Sequence, residues 1–397
     1  MKEYRNMITE EFLSKACGGD PATLPIGDLD NHIHPLLHHN KWVYSRVEDD
    51  GTKSTQSITS AAYHAMKPAL RLVSLLITEP SMLGFFDHLA NGIVLSDDAG
   101  IYLSEGVHEG TPLGLEYVKA VFEFMSNRTQ FVFAATPGLK VTARTTSVPV
   151  NESPDLSRLL PGASKALTEI RQNITAGDRT SSRRFRNNLC KIELLRDGWL
   201  EYFEKDQERP LHRLNSLLYF ASVLAHEIAH AFRDFVRPVA ASEEPRFAKH
   251  EVTFELGWAY QKWLFGDIYI PLLAKLHPHR LLVHQSNELR WYRKLSEPDK
   301  GPTVWKRPPI FKILTGEVVQ SWFLKSTWQK LKKGGHAGQI KESGRTTLQY
   351  FKDHSLEWYY DGEIRGKLRN TSPVPWAVIA KGVVAAAVGF FIVTRYM

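Results

Sequence analysis

Apolar residues return every three or four positions over several long stretches of the chain, the spacing of a helix with one buried face. Over 59–78, TSAAYHAMKPALRLVSLLIT, this predicts a helix begun or kinked at Pro68. Further helices are predicted over 115–126 and 160–174. The longest covers 211–235 and contains HRLNSLLYFASVLAHEIAHAFRDF, with no breaker before Pro238. A second helix, from about Phe247 to Phe265, follows the breaker Glu243-Glu244-Pro245 and stops at Gly266. Alternating segments are fewer. QFVFAAT and LKVTARTT, on either side of Pro137-Gly138, predict a hairpin over about 130–147, and Cys190–Leu195 predicts a short strand. Residues 1–58 read mainly as loop and short strand, and beyond Gly266 Trp-rich apolar runs alternate with Pro/Gly turns. The expected fold class is α+β and predominantly helical.

These segments group into an N-terminal, mainly helical region with a His-rich loop (1–125), a core (126–270), a C-terminal region (271–370) and an apolar tail (371–397). The 397 residues are 43% hydrophobic and 23% charged, enough for a sizeable core, which excludes wholesale disorder. Two cysteines, Cys17 and Cys190, exclude a disulfide framework and a Cys-rich zinc finger, so a reduced, intracellular setting is expected. Glu10 and Glu11 interrupt the stretch where a secretory signal would need to be apolar. The net charge of +7 is too small to name a partner. The Arg-rich segment RTSSRRFRNN (179–188) lacks an interleaved aromatic ladder, so a solvated loop is expected there and no specific nucleic acid.

Chemistry concentrates on the longest predicted helix. Ala225-His226-Glu227-Ile228-Ala229-His230 carries H-E-x-x-H between uncharged flanks. Positions i and i+4 lie one turn apart on one face, so the imidazoles of His226 and His230 can converge on one Zn2+, with Glu227 beside them as a base toward water. A tetrahedral catalytic site needs a third protein ligand. Position 236 is Val236, which excludes the third histidine of a metzincin. The following stretch, His250-Glu251-Val252-Thr253-Phe254-Glu255-Leu256-Gly257, offers Glu251 and Glu255 one helical turn apart.

Over roughly 210–266 the sequence resembles the gluzincin class of zincin metallopeptidases. HEIAHAF followed by EVTFELGWAYQKWLFG also resembles a group of uncharacterised fungal HExxH proteins. The gluzincin resemblance implies a zincin-like core with an HExxH helix and a second, Glu-bearing helix. Carried across, it implies His226, His230 and Glu251 as zinc ligands, Glu227 as the catalytic base and Glu255 as the carboxylate that orients a ligand histidine. The class motif opens with Asn-Glu where this chain has His250-Glu251, and carries Asp where this chain has Glu255, so the third ligand stays open between Glu251, the first choice, and Glu255. The implied function is a zinc-dependent hydrolase, a metallopeptidase acting on a peptide or protein substrate. Tyr269, His277, His279, His284 and Tyr292 are candidates to stabilise an oxyanion, unranked among themselves. Asp234, four residues after His230, reads as an exposed helix-end charge.

Two features lie outside that site. Asp28, Asp30, His32 and His34 alternate as they would on one face of a strand and resemble the His-x-His entry of metal-dependent amidohydrolases, with His38 and His39 close behind. Eight strand–helix units are missing and Pro35 ends the run, so structural histidines in a loop are expected. At the other end, VPWAVIAKGVVAAAVGFFIV (374–393) is close to bilayer length, with Lys381 as its one charge. Arg365, Lys367 and Arg369 precede it, which favours a membrane anchor with the body cytoplasmic. A membrane-tethered, non-catalytic protein of zincin fold is therefore the alternative.

Overall fold

The computed structural model describes residues 25–47, 53–106, 108–134, 143–149, 188–204, 210–237, 244–251, 255–265, 269–271, 282–286, 310–314, 316–333, 346–350, 355–360 and 363–369. The predicted helix over 160–174, the Arg-rich segment up to 187 and the tail 374–393 lie outside these residues.

In chain order the elements are β1 (Trp42–Val47), β2 (Lys53–Ser57), α1 (Ser60–Thr78), α2 (Gly84–Asn91), β3 (Ile93–Asp97), β4 (Gly100–Ser104), α3 (Pro112–Ser126), β5 (Thr129–Ala134), β6 (Ala143–Pro149) and β7 (Asn188–Leu195). There follow α4 (Arg196–Glu204), α5 (Pro210–Val236), α6 (Leu256–Phe265), β8 (Tyr269–Pro271), β9 (Leu282–Ser286), β10 (Ile310–Ile313), α7 (Gly316–Ser321), α8 (Lys325–Lys332), β11 (Thr346–Tyr350), β12 (Ser355–Tyr360) and β13 (Glu363–Arg369). The fold is α+β.

Local chemistry sets several helix starts. The Thr59 hydroxyl accepts from the Ala62 amide to open α1, and the Thr111 hydroxyl accepts from the Gly114 amide to open α3, with Pro112 in the first turn where its missing N–H costs nothing. Pro68 lies inside α1, and the helix continues through it to Thr78. Residues 28–34 do not form the strand their alternation suggests. They run as irregular backbone into a short 3-10 turn at Pro35–Leu37, where Nδ1 of His34 accepts from the Leu36 amide.

One sheet has the order β2-β1-β5-β7-β6, and β8 to β13 form a second, antiparallel sheet. The expected hairpin over 130–147 does not form. Strand β7 lies between β5 and β6, parallel to the first (Thr129↔Cys190) and antiparallel to the second (Ala143↔Leu194). Burial explains the order. Phe131, Val132, Phe133 and Ala134 of β5 are buried in succession, as in a strand covered on both faces, whereas β6 carries Arg144, Thr145 and Thr146 and suits an edge. Because β1 pairs with β5, the sheet takes strands from both sides of residue 125.

Helix α5 is apolar on nearly all sides and runs through the centre of the molecule, against β6 and β7 on one side and α1, α2, α3 and α6 on the others. Phe232 of α5 meets Phe86 and Phe122, and Phe86 meets Tyr260 of α6, all with ring centroids 4.7–5.0 Å apart. Trp42 stacks on Phe131 at 4.4 Å and reaches Phe220. Among the described residues no helix is long and apolar enough to cross a membrane.

Candidate metal centre

His226 and His230 project from the same face of α5, with their Nε2 atoms 3.3 Å apart. His226 is buried and His230 half-buried. The third group is Glu255, which stands immediately before α6 and divides its two oxygens between two tasks. Oε2 accepts from the Trp258 amide at 2.5 Å and caps α6, while Oε1 lies 3.2 Å from Nε2 of His226 and 2.5 Å from Nε2 of His230. His226, His230 and Glu255 are the one group of ligand-type side chains so clustered among the described residues.

The expected second helix over 247–265 is shorter than its sequence pattern suggests. It starts at Leu256, so Glu251 lies before it rather than one turn along it from Glu255. Helix formation upstream competes with tertiary bonds. The Arg246 amide and carbonyl are bound to Ile101 and Leu103 of β4, and its guanidinium holds the carbonyls of Lys249 and Glu251. Glu251, the first choice for third ligand, is outside the cluster, and its Oε2 is buried without a hydrogen-bond partner among the described residues. The carboxylate that meets Nδ1 of His230 is not that of Glu255 but that of Glu244. Its Oε1 accepts from Nδ1 of His230 at 2.7 Å and its Oε2 from the Leu256 amide at 3.1 Å. Donation from Nδ1 leaves Nε2 of His230 to face Glu255. In the sequence Glu244 stands only as part of the breaker Glu243-Glu244-Pro245.

Glu227 is buried beside this group. The Thr145 hydroxyl, from edge strand β6, reaches Oε2 of Glu227 at 2.7 Å and its carbonyl at 3.0 Å, and Oε1 has no hydrogen-bond partner among the described residues. Burial raises the pKa of Glu227, and the neighbouring His226, His230 and Thr145 only partly offset it. Burial pulls His230 the other way, yet Glu244 and Glu255 hold its pKa well above the ordinary value. Glu255 is also pushed up by burial, but His226 and His230 overcome this and hold its carboxyl well below the usual range. The cluster is thus a half-buried carboxylate facing two imidazoles, and the charges that hold a proton on Nε2 of His230 would hold a cation in its place.

Two imidazoles and a carboxylate form a donor set suited to zinc. Ligand atoms about 2.0–2.2 Å from a tetrahedral ion stand about 3.3 Å apart. The His226–His230 and His226–Glu255 separations, 3.3 and 3.2 Å, meet that spacing. The His230–Glu255 contact of 2.5 Å would open by somewhat under 1 Å. The orphan Oε1 of Glu227 is the acceptor expected beside a water ligand.

Gly257 completes the construction. A methyl group there would stand 2.5 Å from Cε1 of His226 and closer still to Cγ and Cδ2, so only glycine lets the first turn of α6 pass His226 at this distance. Thr145 and Gly257, like Glu244, carried no signal in the sequence, because each acts across the fold. Elsewhere, Asp234 pairs with Arg233 at 3.0 Å, and Asp30 with Lys325 at 2.6 Å. His38 contacts the Ile33 carbonyl and His39 that of Ile58. Tyr269 and His284 stand opposite one another in the β8–β9 ladder, while His277, His279 and Tyr292 lie outside the described residues. No protein-family model, curated protein or solved structure matches the chain.

Proposed function

We propose that the chain is a zinc-dependent hydrolase with a gluzincin-like core, acting as a metallopeptidase. The observation that carries this reading is the convergence of Nε2 of His226, Nε2 of His230 and Oε1 of Glu255 beside a buried Glu227 with an unpartnered oxygen. His226, His230 and Glu255 would hold the metal, with a fourth position open to water or substrate. Bound there, zinc would supply Lewis acidity toward water and a scissile carbonyl. Glu227 takes the proton of the attacking water on Oε1 and passes it to the leaving amine. Thr145 pins the other oxygen and so fixes the plane of the carboxylate, and burial makes that carboxylate a stronger base than an exposed one. Glu244 keeps His230 in the tautomer that presents Nε2.

A peptide substrate is favoured by β6. Among the described residues it is the outermost strand of its sheet and is tied through Thr145 to Glu227, so an extended chain adding to that edge would run beside the base. The test is metal content and peptide hydrolysis of the wild type beside His226→Ala and Glu227→Gln. About one zinc per chain is expected in the wild type and in Glu227→Gln and is lost in His226→Ala, with hydrolysis absent from both variants. Wild-type protein from zinc-containing medium without stoichiometric metal overturns the proposal. Bound zinc with no turnover that depends on Glu227 would leave the non-catalytic alternative.

A further inference from the structure

The hairpin β3–β4 adds little to the core: Ile93, Val94 and Leu95 are 46%, 40% and 42% exposed, and of the ten strand residues Leu103 is the buried one. A two-stranded hairpin is marginal by itself. This one is held at both ends by arginines that belong to the metal-centre segment of the chain. At its base, Arg237, directly after α5, donates to the carbonyls of Leu89 and Gly92, each at 2.6 Å. Along β4, Arg246 takes the place of a third strand: its amide donates to the Ile101 carbonyl and its carbonyl accepts from the Leu103 amide, both at 3.0 Å. The Arg246 guanidinium is buried. Nη1 donates to the carbonyls of Lys249 (2.5 Å) and Glu251 (3.4 Å), while Nη2 pairs with the Asp97 carboxylate and reaches the Gly100 carbonyl (3.5 Å). The hairpin therefore spans from the end of α5 to the segment 244–251, which has no helix of its own to hold it.

We infer that Arg246, locked to Asp97 of the hairpin, is a positioning residue for the metal centre, setting the backbone at 244–251 so that Glu244 reaches both Nδ1 of His230 and the amide of Leu256. The inference rests on the metal reading above. Arg246 is two residues from Glu244 and holds the carbonyls of Lys249 and Glu251 in the same segment, so its effect passes through the Glu244 contacts. An arginine is required because several acceptors in different directions must be met by one rigid fork, which a lysine ammonium on a flexible stem does not reproduce.

The test uses the full chain as wild type, Asp97→Ala, Asp97→Glu, Glu244→Gln and the Asp97→Ala/Glu244→Gln pair. Zinc affinity is measured by chelator competition, and amide hydrogen exchange is measured on the metal-free proteins. Asp97→Ala is expected to weaken zinc about 10–100-fold, the range seen when a partner orienting a ligand is lost, and Asp97→Glu by less. In the Glu244→Gln background Asp97→Ala is expected to add little, because the contact it acts through is already gone. The Leu256 amide is expected to exchange faster in Asp97→Ala, with the amides inside α5 unchanged. Equal losses of affinity in both backgrounds, or unchanged affinity and unchanged Leu256 exchange, overturn the inference. A wild type that binds no zinc removes the metal reading. In that case faster Leu256 exchange still supports Arg246 as the residue that positions Glu244, and unchanged exchange overturns that as well.

Discussion

Replacing glycine by alanine inside a helix ordinarily stabilises it by about 0.5–1 kcal/mol, because alanine loses less backbone entropy. Gly257→Ala should do the opposite. The added methyl group stands 2.5 Å from Cε1 of His226, and two carbons need about 3.5 Å, so something must move by about 1 Å. The His226 ring is buried at 1% exposure, so the strain falls either on that imidazole or on the first turn of α6, which Glu255 caps. Metal–ligand distances tolerate about 0.2 Å, several times less than the shift required. Overpacking of this kind costs about 1–3 kcal/mol, which outweighs the helix term at a position this close to the helix start and leaves a net loss of about 1–2 kcal/mol. The expected result is a lower Tm in the metal-free protein and a zinc affinity reduced by more than about 100-fold, equivalent to about 3 kcal/mol. Thermal denaturation with excess zinc and with chelator reads both, since ligand binding raises Tm by mass action and that increment should nearly vanish in Gly257→Ala. A variant with wild-type zinc affinity and an unchanged or higher Tm would refute the close approach of α6 to His226.

The two glutamates separate cleanly: Glu255→Gln should abolish stoichiometric zinc, whereas Glu251→Gln should retain it, and metal analysis of the purified variants with the reverse pattern would restore Glu251 as ligand. His34 supplies a pH dependence. Burial, with His38 nearby, lowers its pKa from the ordinary 6.5 to about 4, and half-exposed Glu123, 3.4 Å away, does not offset that. The unfolded chain therefore takes up a proton that the folded chain refuses between those values. The contribution is fully present above about pH 6.5 and is lost as pH falls toward 4, on the order of 3 kcal/mol in all. Urea denaturation of wild type and His34→Gln at pH 7 and pH 4.5 should show a smaller pH dependence in the variant, and an identical dependence in both would count against this burial effect.

Three parts of the fold show where the sequence was legible and where it was not. The helices at 60–78 and 210–236 follow from apolar residues at helical spacing, a local pattern that persists in α5 although that helix is buried on nearly all sides. The short strand expected over Cys190–Leu195 forms, two residues longer at its start, but its neighbours are not legible in the sequence. Pro137-Gly138 marks a chain reversal without saying which strand will lie beside β5, and the choice of β7 depends on how fully β5 is buried. Helix α6 starts nine residues after the point to which its apolar spacing extends, Phe247, where Arg246 ties the backbone to β4 instead.

From the sequence alone, one helix could be seen to carry His226 and His230 on one face, because a separation of four residues has one geometry in an α-helix wherever that helix lies. Tertiary structure alone decided what joins them. Glu255, just before α6, faces the pair and Glu251 does not, while the chain upstream is tied at Arg246 to Asp97, 149 residues earlier in the chain. Thr145 meets Glu227 across 82 residues of sequence. Such contacts depend on how distant segments pack, and no local pattern of residues encodes that distance.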